Sequence, residues 1–276
     1  MVDLLEKHIL DNWGKFSFSF PPPAEMNFVF FRGFRKIIFY VFKNSDPGPF
    51  GILKISKDPV AFSRLSNEYD VLSVLSENES VKGMVPRPLA SFELEGHVCT
   101  FQTALEGSPL VYSVRGIREK RGLAEMKKIL KIVTKALLSI HKTKEEGGVI
   151  EQGDFNIPNI FISGNEIKIC DWEYSKVGGK PLKDLLEFSL SYVFFARYIE
   201  KEIIRERPGL EDFMETFFSE NPHTKIVWEN IRLYNDEMKI KDLSLEDIFL
   251  EFSSKHLKQD EAGLVPRQLG AFLSKS

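Results

Sequence analysis

Asp154, Asn159 and Asp171 are side chains whose types and spacing could do chemistry. Two apolar runs flank Gly164-Asn165, a dipeptide that favours a two-residue hairpin turn. Around that turn Asn159 and Asp171 come together at the open end of the hairpin, because directly opposed residues of paired strands lie about 5 Å apart. The sequence therefore predicts an amide oxygen and a carboxylate that converge on a site suited to a hard divalent cation.

Asp154 lies on the loop that enters this hairpin, just before Asn159. Phosphoryl transfer needs one carboxylate to accept or orient a hydroxyl, and further oxygen ligands to hold the magnesium that neutralises phosphate charge. The alternative is structural: Asp154 and Asn159 cap the loop and Asp171 merely ends a strand, since Asp and Asn abound in turns. Each residue taken alone favours the structural role, so the hypothesis of catalysis depends on their combination.

A lysine and a glutamate form a second pair of interest in the N-terminal half. Lys54 interrupts the otherwise apolar strand Gly51–Ser56, which is unfavourable unless its ammonium group reaches a partner or a cleft. Glu68 occupies the missing step in the apolar stripe of the helix that follows, where an acid needs a cation. We expect the two side chains to meet. The alternative is that Glu68 lies at the edge of the stripe and Lys54 is solvated on an edge strand.

The elements that must position these residues follow from periodicity and turn signals. Short runs rich in Phe, Ile and Val, separated by glycine-containing turns, predict five strands, with one helix between the third and the fourth. Apolar residues at spacings of three and four then predict a long helix over 118–141, and the chain from Asp184 onward is typical of helices. The predicted strands are Asn27–Arg32, Lys36–Lys43, Phe50–Ser56, Pro88–Leu94 and His97–Thr103, and the helix between them runs from Pro59 to about Ser76.

The change from strand-rich to helix-rich sequence falls at the short linker 105–109, which has the composition of a hinge. We therefore expect an α+β chain of two lobes. Residues 1–104 form the N-terminal lobe, an antiparallel sheet with one helix, and residues 105–276 form a mainly helical C-terminal lobe that carries the hairpin.

Composition excludes several classes of protein. The 276 residues carry 37 Lys and Arg against 40 Asp and Glu, so no uniformly basic surface favours nucleic acid as a partner. No stretch approaches the roughly 18 apolar residues of a membrane span, and we expect no membrane partner. Cys99 and Cys170 are too few for a disulfide scaffold, and two free thiols suit the cytoplasm.

The string Gln152-Gly153-Asp154-Phe155-Asn156-Ile157-Pro158-Asn159, followed by Ile169-Cys170-Asp171-Trp172-Glu173, resembles the catalytic and metal loops of the aminoglycoside phosphotransferase and choline kinase family, which are relatives of protein kinases. That family shows His-Gly-Asp, then an Asn, then an apolar strand that ends in Asp with a second acid after it. It also shows a strand lysine and a helix glutamate, here Lys54 and Glu68, a Leu-His ending on the long helix, here Ile140-His141, and a later Asp, here Asp184. The similarity covers roughly residues 27–190 in order.

This resemblance implies a two-lobed fold like that of protein kinases and a kinase that uses ATP and Mg²⁺ to phosphorylate a hydroxyl group of a small molecule. Asp154 would be the catalytic base, and the C-terminal helices would form the acceptor pocket, with acids such as Asp212 and Glu229 as contacts only if they face it. The metal ligands would be Asn159, Asp171 and Glu173. The nucleotide-binding residues would be Lys54, Glu68, Gln102, Ala104, Leu105 and Gly33.

Two departures from the family pattern leave alternatives open. Gln152 replaces the family histidine before the catalytic Asp, and the nucleotide loop has one glycine, Gly33, rather than a glycine-rich cradle. These features favour the alternative that the chain is a nucleotide-binding pseudokinase, catalytically impaired and acting as a regulatory partner. Phosphorylation of a protein is a weaker third hypothesis, because the short segment from Asp171 to Asp184 leaves little room for a long activation segment.

Overall fold

The computed structural model describes residues 2–16, 18–44, 46–143, 148–201, 207–239 and 245–274. The chain forms two compact units, one of Met1–Glu106 with Ile169–Ser175 and the other of Gly107–Lys168 with Lys176–Ser276. Helices and antiparallel strands are both present, so the predicted α+β class is confirmed. The sequence placed the division after residue 104. Residues 169–175, which the sequence assigns to the C-terminal lobe, instead group with the first unit.

The first unit is built on a five-stranded sheet in the order β1-β2-β3-β5-β4, with every neighbouring pair antiparallel. The predicted strands and the helix between them are confirmed to within one residue at each end. The elements are α1 (Val2–Asp11), β1 (Met26–Arg32), β2 (Lys36–Lys43), β3 (Gly51–Ser56), α2 (Pro59–Ser76), β4 (Pro88–Leu94) and β5 (His97–Thr103).

The two faces of this sheet pack against different elements. One face carries the core of the unit, where α1 contributes Leu5 and Ile9 and the sheet contributes Phe39, Leu53 and other apolar side chains. The second face meets α2, whose first turn is capped by the Asp58 carboxylate accepting from the Ala61 N–H at 2.8 Å. Because side chains alternate along a strand, Lys54 points to the α2 face while its neighbours Leu53 and Ile55 point to the core.

The second unit is mainly helical, as predicted. The predicted hairpin is confirmed: β8 and β9 are neighbours in the three-stranded sheet β6-β8-β9, joined by Gly164-Asn165. The elements, with Ile169 of β9 grouped with the first unit, are β6 (Ser108–Pro109), α3 (Lys120–His141), β7 (Val149–Glu151), β8 (Ile160–Ser163), β9 (Glu166–Ile169), β10 (Lys176–Gly179), α4 (Lys183–Ile199), α5 (Leu210–Phe217), α6 (Pro222–Met238), α7 (Leu245–His256), α8 (Gln259–Ala262) and α9 (Val265–Leu273).

Helix α4 lies in the core of this unit and is buried on most of its surface, so it acts as the support for the loops that precede it. Asp212 does not meet the condition set for an acceptor contact. Its side chain is fully buried and forms an ion pair with Arg197 at 2.7 Å, which joins α5 to α4. Across the residues that the structure describes, no helix has both the length and the apolar content needed to cross a membrane.

Candidate active site

The predicted pairing of Lys54 with Glu68 is present in the first unit. The Lys54 ammonium donates to both carboxylate oxygens of Glu68, at 2.7 and 2.8 Å, and both side chains are buried. Burial alone would lower the pKa of Lys54, but the charges and hydrogen bonds of Glu68 and Asp171 raise it above its usual value. Lys54 is therefore a permanent, oriented cation. The buried positions of Lys54 and Glu68 exclude the solvated alternative considered for them.

Asp171 lies beside this pair. Its Oδ1 accepts from Lys54 at 2.9 Å and from Lys36 at 3.1 Å, and Lys36 also donates to Glu173 at 2.6 Å. Burial alone would raise the pKa of Asp171, but the two ammonium groups outweigh it and lower the pKa to about 2. The backbone of Asp171 has φ 58°, in the left-handed region that a non-glycine residue seldom adopts, and such strain often accompanies a functional site.

Lys36 is a member of this cluster that the sequence reasoning missed. It is in register with Ser56 at the start of β2, and it lies two residues from Ile38, which pairs with Lys54. Lys36 and Lys54 therefore share one face of the sheet. The alternation of side chains along β2 is a signal that predicts the shared face. The contact of Lys36 with Asp171 and Glu173 leaves no such signal, because it joins residues far apart in the chain.

The same sheet face carries an uncovered apolar surface beside the charges. Val29, Phe31 and Tyr40 are 59%, 63% and 41% exposed, and Ile38 and Ile52 are partly exposed between them and Lys54. An apolar platform next to oriented cations is the combination that a nucleotide needs, since its base is flat and its phosphates are anionic.

The other predicted nucleotide-binding residues occupy two places in the first unit. Gly33 closes the β1–β2 turn, where its N–H donates to the Lys36 carbonyl at 2.9 Å. Gln102 is buried near the end of β5, opposite Ile52, and Ala104 and Leu105 follow it. The Ala104 N–H donates to the Phe50 carbonyl at 3.2 Å. The binding roles of these residues stay predictions.

In the second unit, Asp154 is held by the amides around it. Asn156 donates to its Oδ1 at 2.9 Å, and Asn159 donates to its Oδ2 at 3.2 Å and to its carbonyl at 2.9 Å. The Asp154 N–H donates to the Gln152 side-chain oxygen at 2.8 Å. Gln152 therefore braces the loop. In the resembled family a histidine at this position does so, and its replacement by Gln152 had left the geometry of the loop in doubt.

Asp184 anchors the same loop from the start of α4. Its carboxylate accepts from the backbone N–H groups of Gln152 at 2.8 Å and Gly153 at 3.2 Å. His141, at the end of α3, has its Nε2 3.4 Å from the Asp184 oxygen that accepts from Gln152, and its Nδ1 forms a short hydrogen bond with the Tyr234 hydroxyl on α6. Three helices thus fix the backbone that presents Asp154.

A small cavity adjoins the Asp154 loop within the second unit. Its volume is about 150 Å³. The carboxylate of Glu187 at its wall accepts from Lys255 at 2.9 Å and bonds His256 at 3.0 Å, which lower the pKa of Glu187 against the effect of burial. The lining residues are Asn156, Pro158, Glu187, Leu190, Ser191, Phe194, Phe195, Pro208 and His256.

The predicted metal ligands fall in different units, Asn159 in the second and Asp171 with Glu173 in the first. The described residues contain no group of three or more His, Cys, Asp or Glu side chains placed to hold a metal ion. The predicted ligands Asn159, Asp171 and Glu173 are not a group of this kind, because Asn159 is an amide and only two of the three are acids. Ionised carboxylates and an amide oxygen are the donors that magnesium prefers, so the chemistry of the three residues fits that ion.

No protein-family model and no curated protein matches this chain. The assignment of a function therefore depends on the residues and their geometry.

Proposed function

We propose that the chain is an ATP- and Mg²⁺-dependent phosphotransferase that transfers the γ-phosphate of ATP to a hydroxyl group of a small molecule, on a two-lobed fold like that of protein kinases. One observation carries the proposal, a cluster of ion pairs in the first unit. Buried Lys54 is paired with Glu68 and Asp171, and Lys36 is paired with Asp171 and Glu173. A buried ion pair is weak evidence for stability, because the cost of removing both charges from water offsets their attraction, and phosphate binding supplies a further reason for a charged lysine here.

In this proposal the first unit binds the nucleotide. The Lys54 ammonium contacts the phosphates and Glu68 keeps it in place, as their two hydrogen bonds support. Val29, Phe31 and Tyr40 offer the apolar surface for the base. The backbone of residues 102–105 supplies hydrogen bonds to its edge, and because the Ala104 N–H already bonds Phe50, the Ala104 carbonyl is the group that remains for that contact.

Asn159, Asp171 and Glu173 would hold the magnesium ion, which when bound neutralises charge on the phosphates. The lowered pKa of Asp171 keeps this carboxylate ionised at neutral pH, as a metal ligand must be. Lys36 adds a cation that offsets the repulsion between Asp171 and Glu173.

Asp154 is the proposed base. Its carboxylate orients the acceptor hydroxyl and takes its proton as the oxygen attacks the γ-phosphorus, and the bond to the leaving ADP oxygen breaks. Asn156 and Asn159 fix both carboxylate oxygens by hydrogen bonds. Such positioning supplies most of the catalysis in phosphoryl transfer, because the protein has little covalent chemistry to perform.

The cavity beside Asn156 is the proposed place for the body of the acceptor. A volume of about 150 Å³ is well below the 300–1,000 Å³ of drug-sized pockets. The single carboxylate at its wall, that of Glu187, is already paired with Lys255 and His256. The small volume favours an amino alcohol or sugar-like acceptor over a multi-ring aminoglycoside, and a carboxylate that is already paired offers little to the several positive charges of an aminoglycoside.

ADP release tests the proposal, measured with MgATP and a panel of sugars, amino alcohols and aminoglycosides. We expect turnover that needs both magnesium and one class of acceptor, and that is lost in Lys54→Met. Lys82→Met, at a lysine on the surface of the same unit that forms an exposed ion pair with Glu79, is the matched control and should keep full turnover. Turnover without magnesium, or turnover retained by Lys54→Met, would contradict it.

The alternative, a nucleotide-binding pseudokinase, is favoured by the single glycine of the β1–β2 turn, which offers few backbone N–H groups to phosphates. A thermal shift with MgATP in the absence of any ADP release would support it. The bracing of Asp154 by Gln152 favours the enzyme, since the loop is held despite the missing histidine.

A further inference from the structure

Strand β1 is an outermost strand of the five-stranded sheet and lacks most of the features that usually protect an edge, since Arg32 at its end is its one charged residue. It pairs with β2 in one regular register from Met26 to Arg32, with no bulge. Natural edge strands are guarded by proline, by lysine, by bulges or by short length. The sequence of β1, MNFVFFR, contains neither proline nor lysine.

The hydrogen-bonding groups on the free side of β1 can be assigned from the turn. Because the Gly33 N–H donates to Lys36, the groups of Phe31 and Val29 point to β2, and those of Phe28, Phe30 and Arg32 point outward. Within the described part of the chain, no group accepts or donates to these outward N–H and C=O groups. The outward N–H of Met26 is the exception, since it donates to Glu6 at 3.2 Å.

The side chains of β1 are also exposed. Val29, Phe30 and Phe31 are 59%, 52% and 63% exposed, and Phe34 at the turn is 90% exposed. Phe30 and Phe34 lie outside the surface assigned to the nucleotide base, and exposed apolar groups of this kind mark a surface that another molecule covers.

We propose that a second copy of this chain covers β1 by antiparallel pairing of the two β1 strands about a two-fold axis at Val29. That register sets every residue from Met26 to Arg32 opposite a residue of the second copy, and it matches the outward groups of Phe28 with those of the partner's Phe30, while the Met26 N–H keeps its bond to Glu6. The two five-stranded sheets become one continuous sheet, and the unpaired edge disappears.

Charge complementarity selects this register and this occupant. Glu6 accepts from the Met26 N–H at 3.2 Å, and Glu25, which precedes Met26, accepts from the Asn44 side chain at 2.8 Å. In the proposed register Arg32 lies opposite Met26 of the partner subunit, and so near the partner's Glu6 and the partner's Glu25. None of Arg32, Glu6 and Glu25 has an ion-pair partner among the residues that the structure describes. The symmetric register centred on Phe30 would instead set Arg32 against the partner's Phe28. Since the two-fold axis repeats the contact, each dimer gains it twice.

Sedimentation equilibrium of the intact protein tests the dimer. We expect the wild type to be dimeric, and Val29→Lys to weaken the dimer about tenfold or more, because the two lysines would face each other across the axis at the closest pair position. Tyr112→Lys, at a residue that is 83% exposed in the other unit, is the matched control and should leave the dimer unchanged. Arg32→Glu should also weaken the dimer, and adding Glu25→Arg should restore it.

A far-ultraviolet circular dichroism spectrum identifies variants that fold, and Phe30→Thr replaces Val29→Lys if the lysine prevents folding. A wild type that stays monomeric at every concentration would overturn the proposal. If such a monomer sediments with phosphatidylserine vesicles, the exposed apolar strand binds a lipid surface and not a second copy, and the proposal is also overturned. A dimer whose affinity is the same in Val29→Lys, or in Phe30→Thr if that variant takes its place, would show that another surface forms it.

Discussion

At the scale of single residues, the contact between Lys54 and Glu68 makes the first prediction. Lys54→Ala leaves the buried Glu68 carboxylate without its cation and should lower the free energy of unfolding by about 3–5 kcal/mol. Glu68→Ala should lower it less, because Lys54 keeps its ion pair with Asp171. The double variant should lose less than the sum, with a coupling energy of about 0.5–3 kcal/mol. Urea unfolding of the four proteins in the cycle measures both quantities.

The pair formed by Lys82 and Glu79 is the control for this cycle. Its side chains are 64% and 81% exposed, and exposed ion pairs contribute about 0–1 kcal/mol. The alanine variants of these two residues should be close to additive. Simple additivity at Lys54 and Glu68 as well would mean that the two side chains do not interact in solution.

Some of the candidate site was predictable from individual residues and some was not. Lys54 and Glu68 each break an apolar pattern, and a broken pattern is visible in a sequence. The hydrogen bonds from Lys36 to Asp171 and Glu173 break no pattern, because a lysine at the start of a strand is ordinary. The left-handed backbone of Asp171 has no sequence signature either, since Asp occurs in turns for many reasons.

At the scale of elements, the ion pair that joins α4 to α5 makes the second prediction. Asp212 accepts from Arg197 at 2.7 Å and also from the Gly209 N–H at 2.9 Å, and it is fully buried. Asp212→Ala should therefore destabilise the protein by about 3–5 kcal/mol, because it leaves Arg197 buried without this partner. Thermal or urea unfolding measures the loss.

Glu229→Ala is the comparison for Asp212, because Glu229 is about half exposed and pairs with Lys127 on the surface. It should change the free energy of unfolding by less than about 1 kcal/mol. If Asp212→Ala instead left stability intact and altered only the Michaelis constant of an acceptor, its structural role would be wrong.

The elements themselves were largely predictable, because their periods are strong. The strands of the sheet alternate, and Gly164-Asn165 marks the hairpin turn. Helix α4 is harder to predict, since it is buried on most sides and starts after Leu182, which has φ 77°. The short strands β6, β7 and β10 have two to four residues and no period that a sequence could show.

At the scale of the whole molecule, the ionisation of Asp171 makes the third prediction, which concerns acid stability. Its pKa is about 2 in the folded protein, below the value of 3.8 expected for an unfolded chain. The stabilisation is therefore complete above about pH 4 and is lost as the pH falls toward 2. Urea unfolding between pH 5 and pH 2 should show this loss in the wild type and a smaller one in Asp171→Asn. Identical pH dependence in the two proteins would contradict the ion pairs with Lys36 and Lys54.

The division into units illustrates the limit of reading a chain in order. The change of composition near residue 105 identifies a boundary, and the first unit does extend through Glu106. Residues 169–175 return to that unit through contacts such as the bond from the Trp172 N–H to Glu68 at 3.1 Å. A contact between residues so far apart in sequence leaves no mark on local composition.

The central claim is that Asp154 accepts the proton of a hydroxyl during magnesium-dependent phosphate transfer. The most direct test compares kcat for ADP release, at saturating MgATP and acceptor, between the wild type and Asp154→Asn. General base catalysis predicts a loss of about 10²-fold or more in kcat with the dissociation constant of MgATP nearly unchanged. Asp236→Asn, an exposed acid on α6, is the control and should keep full activity. Wild-type turnover in Asp154→Asn would contradict the account.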